Sequence, residues 1–121
     1  MTPTFACAVS GSWNAAEITG IVDTGFDGYL CLPTNVAVTL GLVLCATAEV
    51  ELADGSIKKN LVFEGTATLL GRTSVVTIYL TDSEDALIGT KLLAGCVLNI
   101  DFDQNKVDIR RKKRRGLKGD R

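Results

Sequence analysis

The apolar residues of this chain fall in short runs rich in Val, Ile, Leu and Thr, and each run is soon cut by Gly, Asp, Asn or Ser. No long stretch repeats its apolar residues at helical spacing. Runs of this length and composition match strands, not stable helices. The chain has 121 residues, 46% of them hydrophobic and 22% charged, which is enough for one domain with a real core and too little for two. An all-β domain follows, closed or sandwiched so that its strand edges are satisfied.

The runs can be placed one by one. Residues 4–9 read as a first strand and Ser10-Gly11-Ser12 as turn material. Residues 17–22 form a second strand, fully apolar at Ile21-Val22 and broken by Asp23-Thr24-Gly25. Tyr29-Leu30-Cys31-Leu32 is a third, ending at Pro33. Pro33 suits the first turn of a helix over 34–40, and Gly41 suits its C-cap, although Val36, Val38 and Thr39 are β-branched. Ala48-Glu49-Val50-Glu51-Leu52 alternates as a half-exposed strand should, and Asp54-Gly55 turns it into a partner over 57–63. A further hairpin is expected from 65–70 and 74–80 about Gly71-Arg72. Ala86-Leu87-Ile88-Gly89 is a buried strand, 90–94 a second short helix capped by Gly95, and 97–102 with 106–109 the closing strands. The expectation is about nine strands with one or two short helices.

Histidine is absent, which excludes a Ser-His-Asp triad, a Cys-His pair and a histidine zinc site. Acid–base catalysis must come from a carboxylate, Lys, Tyr or Cys. Cys7, Cys31, Cys45 and Cys96 show no CxxC spacing and read as reduced thiols, not as a four-thiolate metal site. No metal or organic cofactor is implied. The N-terminus lacks a basic segment followed by an apolar run, and the most apolar stretch, 36–48, is shorter than the roughly 20 residues of a membrane span. A cytoplasmic, reducing location is expected.

The net charge of −1 hides a strong asymmetry. Residues 110–121 carry eight basic residues and one acid, a net +7, whereas residues 1–109 carry five basic residues and thirteen acids, a net −8. We expect a domain over 1–109 and a basic, disordered tail over 110–121. The run from Arg110 and Arg111 to Arg115 has no aromatic interleaving, so nucleic-acid binding is a weaker reading than a solvated tail or one that docks on the acidic body.

Ile21-Val22-Asp23-Thr24-Gly25 sets a carboxylate at the mouth of a buried strand. Alone it reads equally as a tight turn in which Asp23 accepts backbone N–H bonds. The order strand, Gly and short helix recurs at 86–93, after a similar order over 29–40, and the two stretches are read as related halves. With these elements in sequence the chain resembles the retropepsin-like (clan AA) aspartic proteases, which include the retroviral proteases. The resemblance rests on Ile21-Val22-Asp23-Thr24-Gly25, on Ala53-Asp54-Gly55-Ser56 as the flap tip, on Leu87-Ile88-Gly89 with Leu92-Leu93, and on Val97-Leu98-Asn99-Ile100-Asp101-Phe102. It covers about residues 5–109.

The resemblance implies a closed-barrel protomer active only as a homodimer, in which Asp23 of each copy supplies half of a carboxylate pair that hydrolyses peptide bonds. Thr24 would bridge the two turns and Gly25 would admit a substrate backbone. Phe26, Asp27, Asp54, Gly55, Ser56 and Ile88 are the expected substrate contacts. Metal-free peptide hydrolysis needs one group to take a proton from water and another to protonate the carbonyl oxygen. Two carboxylates roughly 4 Å apart repel by about 4 kcal/mol at an effective dielectric near 20. That is about three pKa units, so the pair holds one proton between them and titrates as a unit.

Phe26 departs from the small residue usual after Asp-Thr-Gly and reads either as core packing or as a wall narrowing the cleft. The form Asp23-Thr24-Gly25-Phe26-Asp27-Gly28 resembles a prokaryotic branch of the clan. The flap is polar, with Asp54, Ser56, Lys58 and Lys59, and reads either as a mobile gate or as a plain exposed hairpin. The alternative function is a non-catalytic dimeric peptide-binding module whose basic tail recruits an anionic partner.

Overall fold

The computed structural model describes residues 2–112. Its elements run β1 (Thr4–Ser10), β2 (Ala15–Val22), β3 (Leu30–Pro33), α1 (Thr34–Leu40), β4 (Val43–Glu51), β5 (Ile57–Leu69), β6 (Arg72–Thr81), β7 (Ala86–Ile88), β8 (Cys96–Asp101) and β9 (Lys106–Arg111). The all-β class is as expected, with one helix among the described residues.

Six strands close on themselves in the order β1-β2-β7-β3-β6-β5, and a second pairing of β1 with β5 seals the ring. The Ser10 and Thr66 hydroxyls are hydrogen-bonded across that seam. β4 adds to the outer side of β5. The three-residue β7 is central, parallel to β2 through Val22↔Ile88 and antiparallel to β3 through Leu30↔Ile88. So short a strand has few ladder bonds, and burial holds it: Leu30, Leu32, Ile78 and Ile88 have no exposed surface. Each such side chain stabilises the fold by about 1.5–3 kcal/mol.

Helix α1 covers one flank through Ala37 and Leu40. It ends as the sequence suggests. Gly41 is left-handed at φ 72, its N–H reaches Val38 O at 3.1 Å, and the Leu42 N–H reaches Ala37 O at 3.3 Å. This double closure satisfies carbonyls that the helix end leaves open. The Trp13 ring lies over Gly41, where a Cβ would come within 2.7 Å of it.

Three details differ from the sequence expectation. β5 runs unbroken from Ile57 to Leu69, where separate strands over 57–63 and 65–70 were expected; a Cβ at Gly65 would sit 2.9 Å from the Ser10 carbonyl and 2.8 Å from Leu42, so glycine lets β1 cross β5. The β5–β6 turn is Leu70-Gly71, both at positive φ, instead of Gly71-Arg72. Residues 90–94 make turns, not a helix. Their recorded bonds, Leu92 N–H to Gly89 O and Cys96 N–H to Leu93 O, span three residues, and the segment is too short to nucleate a helix.

β8 and β9 form a separate two-stranded sheet. Ile109 is buried, and the Arg111 guanidinium donates to Leu69 O at 2.8 Å, tying this hairpin to the barrel. Arg110 and Arg111, the first residues of the basic run, are thus part of β9. Residues 113–121 of the expected tail lie outside the described residues.

Candidate active site

β2 delivers Asp23 to the rim of the barrel. Gly20 makes this possible by letting β2 lie close to β7, since a Cβ there would fall 2.9 Å from the Ile88 side chain. Directly after β2, the Asp23 N–H donates to Ile88 O at 2.9 Å. The turn then closes on itself: Asp23 O accepts from the Phe26 N–H at 3.1 Å, and Asp23 Oδ1 accepts from the Gly25 N–H at 2.9 Å. An aspartate bonding the N–H two residues on is a self-supporting turn. Asp23 is half-buried, while Thr24, Gly25 and Asp27 are exposed.

A second clamp holds the loop after the turn. Phe26 O accepts from the Thr90 N–H at 2.9 Å and from the Thr90 hydroxyl at 3.3 Å. Gly28 O accepts from the Lys91 N–H at 3.0 Å, and Tyr29 O accepts from the Gly89 N–H at 3.0 Å. Gly89 is wedged so tightly that a Cβ would overlap the Gly28 carbonyl oxygen and press on the Phe26 ring. The loop Phe26–Tyr29 and the turn Gly89–Lys91 are therefore one interlocked support under Asp23. Ile88 itself has no exposed surface in this protomer, so its contribution is the carbonyl that fixes Asp23, not a side chain at the surface.

Beside the turn opens a cleft of about 760 Å³. Phe26 and Tyr79 line its floor, edge to face with ring centroids 6.3 Å apart at 68°. Phe26 packs against Gly28 and also lines the cleft. The β4–β5 hairpin is the roof. Ala48 pairs with Asn60 and Val50 with Lys58, so these four share one face, and Val62 on the same face is buried. The consecutive residues Lys58, Lys59, Asn60 and Leu61 of β5 line the cleft on this side, and Asp82 and Ser83 line it from the loop after β6. Lys58, Asn60 and Tyr79 were not among the expected contacts. Nothing local in the sequence links Tyr79 to Phe26, and strand alternation does not single out Lys58 and Asn60, since Lys59 and Leu61 line the cleft as well.

Asp54, Gly55 and Ser56 form the hairpin tip and do not line the cleft. The tip is ordered by its own bonds: Leu52 N–H to Ser56 O at 2.8 Å, Gly55 N–H to Leu52 O at 2.9 Å, and Asp54 Oδ1 accepting from the Ser56 hydroxyl at 2.6 Å and N–H at 2.9 Å. The Ser56 hydroxyl, then its N–H, hold the Asp54 carboxyl below its ordinary value. Gly55, at φ 87, takes a conformation open to glycine at little cost.

Two of the thiols, Cys7 and Cys31, are poor nucleophiles. Cys31 lines the cleft, yet burial raises its pKa, and Cys7 is pushed up to about 11 by burial and then by Glu17. All four cysteines are free.

Two solved structures share this architecture. The solution structure of simian foamy virus (mac) protease matches with TM-score 0.57 at 14% identity, covering 74% of this chain and 90% of that one. The EIAV protease in complex with the inhibitor HBY-793 matches with TM-score 0.55 at 18% identity, covering 77% and 86%. The fold is that of a retropepsin-like protease protomer. At these identities the likeness is one of fold. No family model matches the chain, and no curated protein matches it. Among the described residues, no helix is long and apolar enough to cross a membrane.

Proposed function

We propose that the chain is an aspartic endopeptidase that works as a homodimer. The observation that carries this reading is the placement of Asp23. Its backbone is pinned to Ile88, its turn is closed by Phe26 and Gly25, Thr24 and Gly25 are exposed, and Phe26, which ends the turn, lines the neighbouring cleft, whereas Asp23, Thr24 and Gly25 do not. A carboxylate held this firmly on an exposed turn is positioned to meet its twin across a twofold axis, where one residue serves both sides.

In the dimer the two Asp23 groups share one proton. The ionised carboxylate takes a proton from water as the water adds to the substrate carbonyl, and the protonated one gives its proton to the carbonyl oxygen. Thr24 joins the two turns, Gly25 lets the substrate backbone approach, and Asp27 meets the substrate main chain. The β4–β5 hairpin, with Asp54, Gly55 and Ser56 at its tip, covers the bound peptide. Lys58 above the Phe26–Tyr79 floor favours a substrate with an acidic side chain next to an apolar one. Ile88 acts through Asp23. The protease unit is 1–109, with Arg110 and Arg111 continuing its last strand. We read the form Asp23-Thr24-Gly25-Phe26-Asp27-Gly28 as resembling a prokaryotic branch of the clan, and four free thiols fit a reducing cytoplasm.

A peptide library offered from pH 4 to 7 tests the reading. Cleavage by the wild type that disappears in a still-dimeric Asp23→Asn supports it. A confirmed dimer that cleaves nothing at any of these pH values sinks it.

A further inference from the structure

Arg72, Lys91 and Arg111 converge on a second cavity, of about 190 Å³, which neither Asp23 nor the aromatic cleft floor lines. They come from three separate elements: the start of β6, the turn after Gly89 and the end of β9. Tyr29, just before β3, and Ser74 also line the cavity. Ser74 lies two residues beyond Arg72 on β6 and so shares its face.

This gathering runs against the charge of the domain. Residues 1–109 are net −8, yet no carboxylate lines the cavity among the described residues. Two of the five cations in that stretch meet here, and Arg111 joins them. Arg111 is also held in place. Its guanidinium donates to Leu69 O at 2.8 Å, and Leu69 is the β-ladder partner of Arg72, so the bond sets the two arginine positions side by side. Lys91 is anchored through its N–H on Gly28 O at 3.0 Å. Like charges brought together without a counter-charge repel, and an anion between them removes the repulsion.

The donor set identifies the class of anion. Two guanidinium groups, one of them already giving one N–H to Leu69 O, and an ammonium belong to residues lining the cavity, beside the hydroxyl-bearing Tyr29 and Ser74, and they offer donors of several geometries. A tetrahedral oxyanion can accept from all of them at once, and arginine forks match its paired oxygens. The volume corresponds to about six waters at roughly 30 Å³ each, enough for one such group and not for a nucleoside attached inside it.

We propose that this cavity binds a phosphate group. The bound group cross-links β6, the turn after Gly89 and β9. Because Tyr29 O accepts from the Gly89 N–H, and Lys91 donates to Gly28, the ligand also braces the loop that supports Asp23. The site stands independently of the protease reading.

The test uses the full chain at constant ionic strength. Thermal unfolding is followed with rising inorganic phosphate against matched chloride, and binding is read by ³¹P line broadening. Wild type is compared with the double variant Arg72→Gln/Lys91→Gln, whose two positions are exposed and whose folding is checked in chloride. A ligand that binds only the folded state raises the melting temperature. Phosphate should stabilise the wild type beyond chloride, and the double variant should bind at least about tenfold more weakly. Asp23→Asn should respond like the wild type, which separates this site from the active site. Methyl phosphate in place of phosphate tells whether one oxygen can carry an organic group, and response to either supports the site. No stabilisation beyond chloride overturns the proposal. So does an undiminished response in the double variant, which keeps all the basic residues of 112–121 and would place binding there.

Discussion

Replacing Gly89 with alanine tests how Asp23 is held. Gly89 does not have a left-handed backbone, so alanine meets no dihedral obstacle there, and the added methyl alone acts. In open space it would stabilise by about 0.4–1 kcal/mol, through a less flexible unfolded chain. Here it runs into the Gly28 carbonyl oxygen and comes within 2.7 Å of the Phe26 ring. Overpacking of this kind costs about 1–3 kcal/mol. Relief of the clash parts Gly89 from Tyr29 and strains the Thr90 bond to Phe26, at about 1 kcal/mol for each hydrogen bond loosened. The net expectation is a loss of about 3 kcal/mol and a melting temperature lower by roughly 12 °C. Urea unfolding with an unchanged m-value is the assay. If the protein is as stable as wild type, or more so, Gly89 is not the wedge described, and the account of the Asp23 support fails with it.

Other consequences can be checked separately. Leu70 occupies the first central position of a two-residue hairpin turn at φ 51, with 42% of its surface exposed, so Leu70→Asn should stabilise by about 0.5–1 kcal/mol in denaturant unfolding; a loss would contradict the turn geometry. Asp54 is held below its ordinary pKa, so the order it lends the hairpin tip is present above the unfolded carboxylate value near about 3.9 and fades as pH falls through the lower folded value. By NMR its titration midpoint should lie below that reference and return toward it in Ser56→Ala; equal midpoints in the two proteins count against the bond. Lys58→Glu should shift the preference between matched peptides with Glu or Lys opposite the roof by about tenfold toward Lys, a charge-pair effect of roughly 1.4 kcal/mol, and an unchanged preference would remove Lys58 from the cleft.

Much of the barrel was legible because its strands obey local rules. Asp54-Gly55 marks its hairpin, Gly41 closes α1 as a left-handed cap should, and the apolar triplet at 86–88 is a buried strand. The misreadings share a cause. The break expected between 63 and 65 is absent, because Gly65 lets β1 pass over an unbroken β5, and the Leu70-Gly71 turn puts leucine at positive φ against its propensity. Residues 90–94 carry helix-compatible side chains, but their N–H groups are drawn to the carbonyls of Phe26 and Gly28, which lie far off in sequence. The site divides the same way. The Asp23 turn is local and could be read. The edge-to-face contact of Phe26 with Tyr79 and the meeting of Arg72, Lys91 and Arg111 depend on tertiary pairings that no local pattern encodes.

The central claim is that one active site needs Asp23 from two chains. Wild-type protein should be mixed with an equal amount of Asp23→Asn, the dimers allowed to exchange, and the peptide-cleavage rate compared with that of the same total protein in wild-type form. If each site needs both carboxylates, only dimers with two wild-type copies cut, and the rate falls to about one quarter. A rate of about one half would mean that each protomer acts alone, and the shared-pair account would be wrong.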